Sequence, residues 1–165
     1  MSKNNRIIIF LILFVTGLVG LYLYKKYQVA PTIELLSQDV YDEQNAKMNL
    51  SLFKGKPIII SYYASWCGDC MKELKELNEV KTKELNDIVV ICITDEPVEK
   101  LISFKTKHNY PFLFYRLNKS FSEINIYAIP VTYLIGAEGD VVYNKVGAVQ
   151  WKDNSFLNYA KKMLN

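Results

Sequence analysis

The stretch Pro57-Ile58-Ile59-Ile60-Ser61-Tyr62-Tyr63-Ala64-Ser65-Trp66-Cys67-Gly68-Asp69-Cys70 decides the fold of this chain. An apolar run ends in a short turn, and two cysteines then open a charged, leucine-spaced segment that continues from Met71. That order predicts a buried strand, a turn, and a helix starting at the cysteines. A helix N-terminus leaves backbone N–H groups unpaired and carries the positive end of a dipole, and both favour a thiolate over a thiol. A cysteine placed there has its pKa lowered from about 8.5 into the range of roughly 3.5–7.5. Cys70, one helical turn on, can reach the sulfur of Cys67. These residues describe a dithiol able to attack a disulfide and then resolve the mixed disulfide it forms.

The competing reading of one CxxC pair is half of a zinc site, since zinc takes four ligands. The chain has one further cysteine, Cys92, and one histidine, His108, and they form no second pair at ligand spacing. No metal and no organic cofactor is therefore expected. Three cysteines are also too few for a disulfide scaffold. The net charge of +3 is unevenly placed, because Lys3, Arg6, Lys25 and Lys26 flank the first apolar run. Without those four, 16 basic residues face 17 acidic ones. A nucleic-acid partner is not indicated.

Upstream, Ile7 to Tyr24 is 18 residues without a charge, about 27 Å as a helix against a hydrocarbon core of roughly 30 Å. Tyr22, Tyr24 and Tyr27 gather at its far end, as interfacial aromatics do. A cleaved signal has a shorter apolar region and a small-x-small site; here Pro31 directly follows the nearest candidate, Val29-Ala30. The expected organisation is a signal-anchor helix over 1–24 that enters the lipid bilayer through 7–24, a juxtamembrane linker over 25–31, and a domain over 32–165. The expected orientation puts the N-terminus in the cytoplasm and the domain outside it.

Downstream, Met71, Leu74, Leu77, Val80 and Leu85 predict an amphipathic helix to about Asn86, its Glu and Lys residues forming a solvated face. Ile88 to Ile93 reads as a central strand buried on both sides. A helix follows from Glu96-Pro97 to about His108, a short strand over Pro111 to Tyr115, and a short helix over Lys119 to Tyr127. Ala128 to Ile135 and Val141 to Tyr143, joined by Glu138-Gly139-Asp140, read as a hairpin, and Trp151 to Leu164 as a closing helix. Thr32 to Phe53 is expected to form a preliminary hairpin.

Four motifs together carry a family resemblance: Lys54-Gly55-Lys56-Pro57, Ser65-Trp66-Cys67-Gly68-Asp69-Cys70, Ile129-Pro130-Val131-Thr132 and Glu138-Gly139-Asp140. The chain from Thr32 onward resembles the thioredoxin fold, and within it the membrane-anchored, extracytoplasmic TlpA/ResA-like thiol–disulfide oxidoreductases of bacteria. The strand and helix between Cys92 and Pro130 fit the central insertion of that subfamily. The resemblance implies a three-layer α/β/α sandwich with a mixed sheet, preceded by one transmembrane helix. It implies that Cys67 is the exposed nucleophile and Cys70 the buried resolving thiol. Pro130 would be a cis-proline beside them, Ile129 would receive a substrate segment as an added strand, and Trp66 would shield the sulfurs. The implied partners are a disulfide-containing protein substrate and a membrane electron-donor dithiol protein, with cytochrome c maturation as one family role.

Two positions depart from the pattern. Ser61 stands where cytosolic thioredoxins carry a buried acid, so water, Asp95 or Glu96 become the candidates to take the Cys70 proton. Asp69 stands where proline is familiar, and its charge opposes a thiolate on Cys67. Gly68-Asp69 is thus expected to tune the pair towards a reductant. Two alternatives remain at this stage: a non-catalytic tethered peptide-binding module and a redoxin-type peroxidase. Cys92, mid-strand, is expected to be an inert buried thiol.

Overall fold

Among residues 3–28, 30 and 34–164, which the computed structural model describes (in the first helix, the side chains of 5 and 7–23), seven strands form one mixed sheet. The strands are β1 (Asp39–Tyr41), β2 (Lys47–Asn49), β3 (Ile58–Tyr62), β4 (Val89–Thr94), β5 (Leu113–Arg116), β6 (Val131–Ile135) and β7 (Val141–Val146). Their order is β2-β1-β5-β4-β3-β6-β7. β3, β4 and β5 run parallel, while β6 and β7 continue antiparallel on one side and β1 and β2 on the other. The α-helices are α1 (Lys3–Gln28), α2 (Gly68–Glu84), α3 (Val98–His108) and α4 (Asn154–Leu164). The expected opening hairpin is present as β1 and β2. The expected helix over Lys119 to Tyr127 is only a 3-10 turn, Phe121–Ile124, stopped by Asn125 in the left-handed region at φ 60°.

β3 is buried at every position, and its alternation assigns one set of side chains to each face of the sheet. Ile59 and Tyr63 join Leu74 and Leu77 of α2, Leu101 and Phe104 of α3, and Leu157 and Ala160 of α4. Ile58, Ile60 and Tyr62 join Leu35, Leu50, Phe121 and Ile124. The three-layer expectation is therefore corrected. α2, α3 and α4 all pack on one face, whereas 3-10 turns and extended chain cover the other. Successive right-handed crossovers from β3 to β4 and from β4 to β5 put α2 and α3 on the same side.

Among the described residues no helix is long and apolar enough to cross a membrane, so the structure does not support the expected transmembrane helix. The described side chains of α1 include the run 7–23. Every large apolar side chain in that run, from Ile7 to Leu23, is exposed. The linker expectation also shifts, because α1 continues to Gln28 and makes 25–28 helical. Residues 29 and 31 and the expected domain boundary at 32 lie outside the described residues. Ala30 is already buried in the same apolar cluster as Leu35 and Leu50.

Candidate active site

The C-terminal end of β3 delivers the chain into a tight turn in which the Cys67 N–H donates to the Ala64 carbonyl at 3.1 Å. Cys67 then caps α2 with extended backbone, φ −85° and ψ 109°. Its Sγ accepts the N–H of Cys70 at 3.2 Å. A sulfur thus sits where the unpaired donors of the first helical turn point. Cys67 and Cys70 are joined as a disulfide with their Cα atoms 5.2 Å apart. Cys70 is fully buried and Cys67, at 8% exposure, is buried too, which corrects the expectation of an exposed Cys67: in the disulfide form the cap position on α2 packs it into the core.

Facing the pair, the Ile129–Pro130 peptide is cis, and the Ile129 carbonyl oxygen lies 3.8 Å from Cys67 Sγ. Ile129 is half-buried and Pro130 buried. Trp66 is 76% exposed. Gly68 and Asp69 are both exposed in the first turn of α2. A Cβ added at Gly68 would meet nothing within 4 Å, so space does not hold that position to glycine.

A buried acid does reach Ser61, from α2. Glu73 is 1% exposed, which corrects the expectation that the acidic residues of α2 are all solvated. Glu73 Oε1 accepts the Ser61 hydroxyl at 3.3 Å and the Thr132 hydroxyl at 2.6 Å. Its Oε2 accepts the Val149 N–H at 2.6 Å. Burial pushes the Glu73 carboxyl from its ordinary 4.5 up to about 6, against the opposing pull of those three hydrogen bonds and of Lys145. The sequence does carry a signal for this. Glu73 lies three residues after Cys70 and four before Leu77, inside the apolar stripe rather than opposite it. Sheet register completes the arrangement, since Ser61 pairs with Thr132 on one side and Cys92 on the other.

The other candidate acids are engaged elsewhere. Asp95 Oδ2 accepts the Phe121 N–H at 2.9 Å, and the Glu96 carboxylate accepts the N–H and hydroxyl of Ser65. Cys92 is fully buried, and burial, then the charge of Glu73, push its thiol well above its ordinary range. Among the described residues no group of three or more His, Cys, Asp or Glu could hold a metal ion.

A family model described as Redoxin matches residues 26–161. The thiol-disulfide oxidoreductase ResA of Bacillus thuringiensis is 24% identical over 151 residues, which cover 85% of this chain and 87% of that protein. The thiol:disulfide interchange protein DsbE of Vibrio cholerae is 28% identical over 119 residues, covering 68% of this chain and 64% of that one. Among solved structures, a secreted Mycobacterium tuberculosis disulfide oxidoreductase homologous to E. coli DsbE aligns with a TM-score of 0.61 at 20% identity, over 79% of this chain and 99% of its own. That likeness speaks for the fold.

Proposed function

This chain belongs to the redoxin family, and from that premise we propose that it is a thiol–disulfide oxidoreductase of the ResA/DsbE type that reduces protein disulfides outside the cytoplasm while α1 tethers it to the membrane. The observation that carries the reading is the bonded Cys67–Cys70 pair at the start of α2, with Ile129–Pro130 opposite and buried Glu73 one turn below. In the reduced protein the Cys67 thiolate attacks a client disulfide, and one client sulfur leaves as a thiolate. Cys70 then passes its proton towards Glu73 and attacks Cys67 Sγ. The second client thiolate departs, the client has gained two electrons, and Cys67–Cys70 is a disulfide. A carboxylate with a pKa near 6 is well matched to such proton transfer near neutrality.

In this proposal Trp66 and the Ile129 backbone contact the client strand, and Gly68, Asp69 and Ser61 tune the pair. A membrane dithiol protein returns the electrons, and the net direction follows from the two potentials. Supply of reduced cysteines for cytochrome c maturation is one role that fits. The tether is supported by the uncharged run Ile7 to Tyr24 and the exposed apolar side chains of α1. In the proposed organisation α1 is the anchor, residues 25–28 belong to that helix and not to a linker, and the domain over 32–165 lies outside.

Insulin reduction by the full chain in detergent micelles, recycled with dithiothreitol, tests the chemistry. Wild type should turn over and Cys67→Ser should not. Equal rates for both would leave only the tethered peptide-binding module, and efficient turnover of hydrogen peroxide in place of insulin would favour the peroxidase. Labelling of introduced surface cysteines on intact cells tests the orientation, and protection of the domain from an impermeant reagent would reverse it.

A further inference from the structure

We propose that Glu96 is a positioning residue for disulfide exchange, holding the turn that carries Cys67 through a two-point grip on Ser65. The inference rests on the exchange reaction proposed above. β3 and β4 are neighbouring parallel strands, with Tyr62 in register with Ile93. Ser65 and Glu96 therefore leave the sheet side by side, just beyond the ends of those strands. Glu96 Oε2 accepts the Ser65 backbone N–H at 2.5 Å, and Oε1 accepts the Ser65 Oγ–H at 2.7 Å. The carboxylate is itself held: fully buried Thr94 places its Oγ1 3.4 Å from Glu96 Oε2 and accepts the Glu96 N–H at 3.2 Å.

The gripped residue sits inside the turn that presents the nucleophile. Ala64 and Cys67 close that turn through one hydrogen bond between their backbones, which leaves the N–H of Ser65 facing outward. An N–H so placed is satisfied by water or by a side chain, and here a charged acceptor takes it. Charge-assisted hydrogen bonds are roughly twice as strong as neutral ones. Cys67 follows two residues later and must keep its sulfur on the first-turn donors of α2 for a thiolate to be favoured. Both Glu96 oxygens are filled by donors from Ser65, so the side chain acts on Cys67 through the turn and not as the acceptor of the Cys70 proton.

Three substitutions in the full chain separate this role from proton transfer and from mere structural support. Glu96→Ala releases the turn, and is expected to slow insulin reduction by about tenfold or more, because displacement of a reacting atom by about 1 Å can cost 10²-fold. It should also move the pH dependence of Cys67 alkylation by iodoacetamide in the reduced protein. Glu96→Gln keeps both contacts, with its carbonyl accepting the Ser65 N–H and its amide donating to Ser65 Oγ. Its turnover should stay within about threefold of wild type, with an unchanged pH profile.

Gln as slow as Ala refutes positioning and favours proton transfer. Ala with wild-type turnover and an unmoved alkylation profile also overturns the proposal, even if its stability falls. If Glu96→Ala does not fold, Ser65→Ala removes the hydroxyl contact alone. It should show a smaller loss of rate and a shift of the same sign, and no effect on either readout would refute the grip. Wild type inactive on insulin would sink the exchange reading by itself, while the alkylation profiles would still decide the role of Glu96.

Discussion

Glu73→Gln exchanges a buried carboxylate for a neutral side chain of nearly the same shape, and is expected to raise stability above pH 6 while slowing disulfide exchange. Burial holds the Glu73 carboxyl at about 6 in the folded protein, against 4.5 for an ordinary glutamate. The gap of about 1.5 units corresponds to about 2 kcal/mol at 1.36 kcal/mol per unit. Because the folded value is the higher one, the folded state binds the proton more tightly. Stability from this group is complete below 4.5, falls as pH rises through 4.5 to 6, and is gone above that.

Glutamine is neutral throughout. Its carbonyl can accept the Val149 N–H, and its amide can donate to the Ser61 and Thr132 hydroxyls, which rotate to accept. Above neutrality the variant should therefore be more stable by up to about 2 kcal/mol, and near pH 4.5 the two proteins should agree. Urea unfolding of the oxidised full chain in micelles, repeated between about pH 4.5 and 7.5, reads the difference. Asp39, Glu43, Glu79, Glu123 and Asp153, all held low by hydrogen bonds, titrate alike in both proteins and cancel. A difference that does not change with pH, or a glutamine variant that is less stable near pH 7.5, refutes the reasoning. In turnover, the wild-type limb near pH 6 should disappear and the rate should fall.

Two smaller predictions concern the exposed side of the site. Asp69→Asn removes an exposed negative charge from the first turn of α2 and should ease formation of the Cys67 thiolate. The thiol should then titrate lower and the pair become more oxidising, by up to about 30 mV, a tenfold change in the exchange equilibrium. An unchanged potential against glutathione would remove Asp69 from the tuning set. Trp66→Ala deletes a ring that is 76% exposed. Its effect on stability should stay within about 0.5 kcal/mol, while the KM for insulin rises. Destabilisation without a change in KM would make Trp66 a packing residue and not a client contact.

The dithiol is legible in the sequence alone, because a cysteine pair at i and i+3 after an apolar run has only local geometry to satisfy. The hairpin before β3 is legible from local patterning too, while the reading of the strand and helix after Cys92 as an insertion came from the family resemblance. Coverage of the second sheet face was not. Phe121 and Ile124 are spaced as a helix would space them, yet Asn125 in the left-handed region ends the turn after four residues.

Residue order alone therefore determined the redox pair and its seat at a helix N-terminus, since these follow from a spacing of three residues after an apolar run, while the proline that faces the pair was implied only by the family resemblance. Only the tertiary structure decided which acids serve the site. Glu73 is buried because β3 and β6 place Ser61 and Thr132 side by side beneath α2. Glu96 reaches Ser65 because two parallel strands end level with each other. Both contacts join residues far apart in the chain, and sheet register, which no local spacing encodes, is what brings them together.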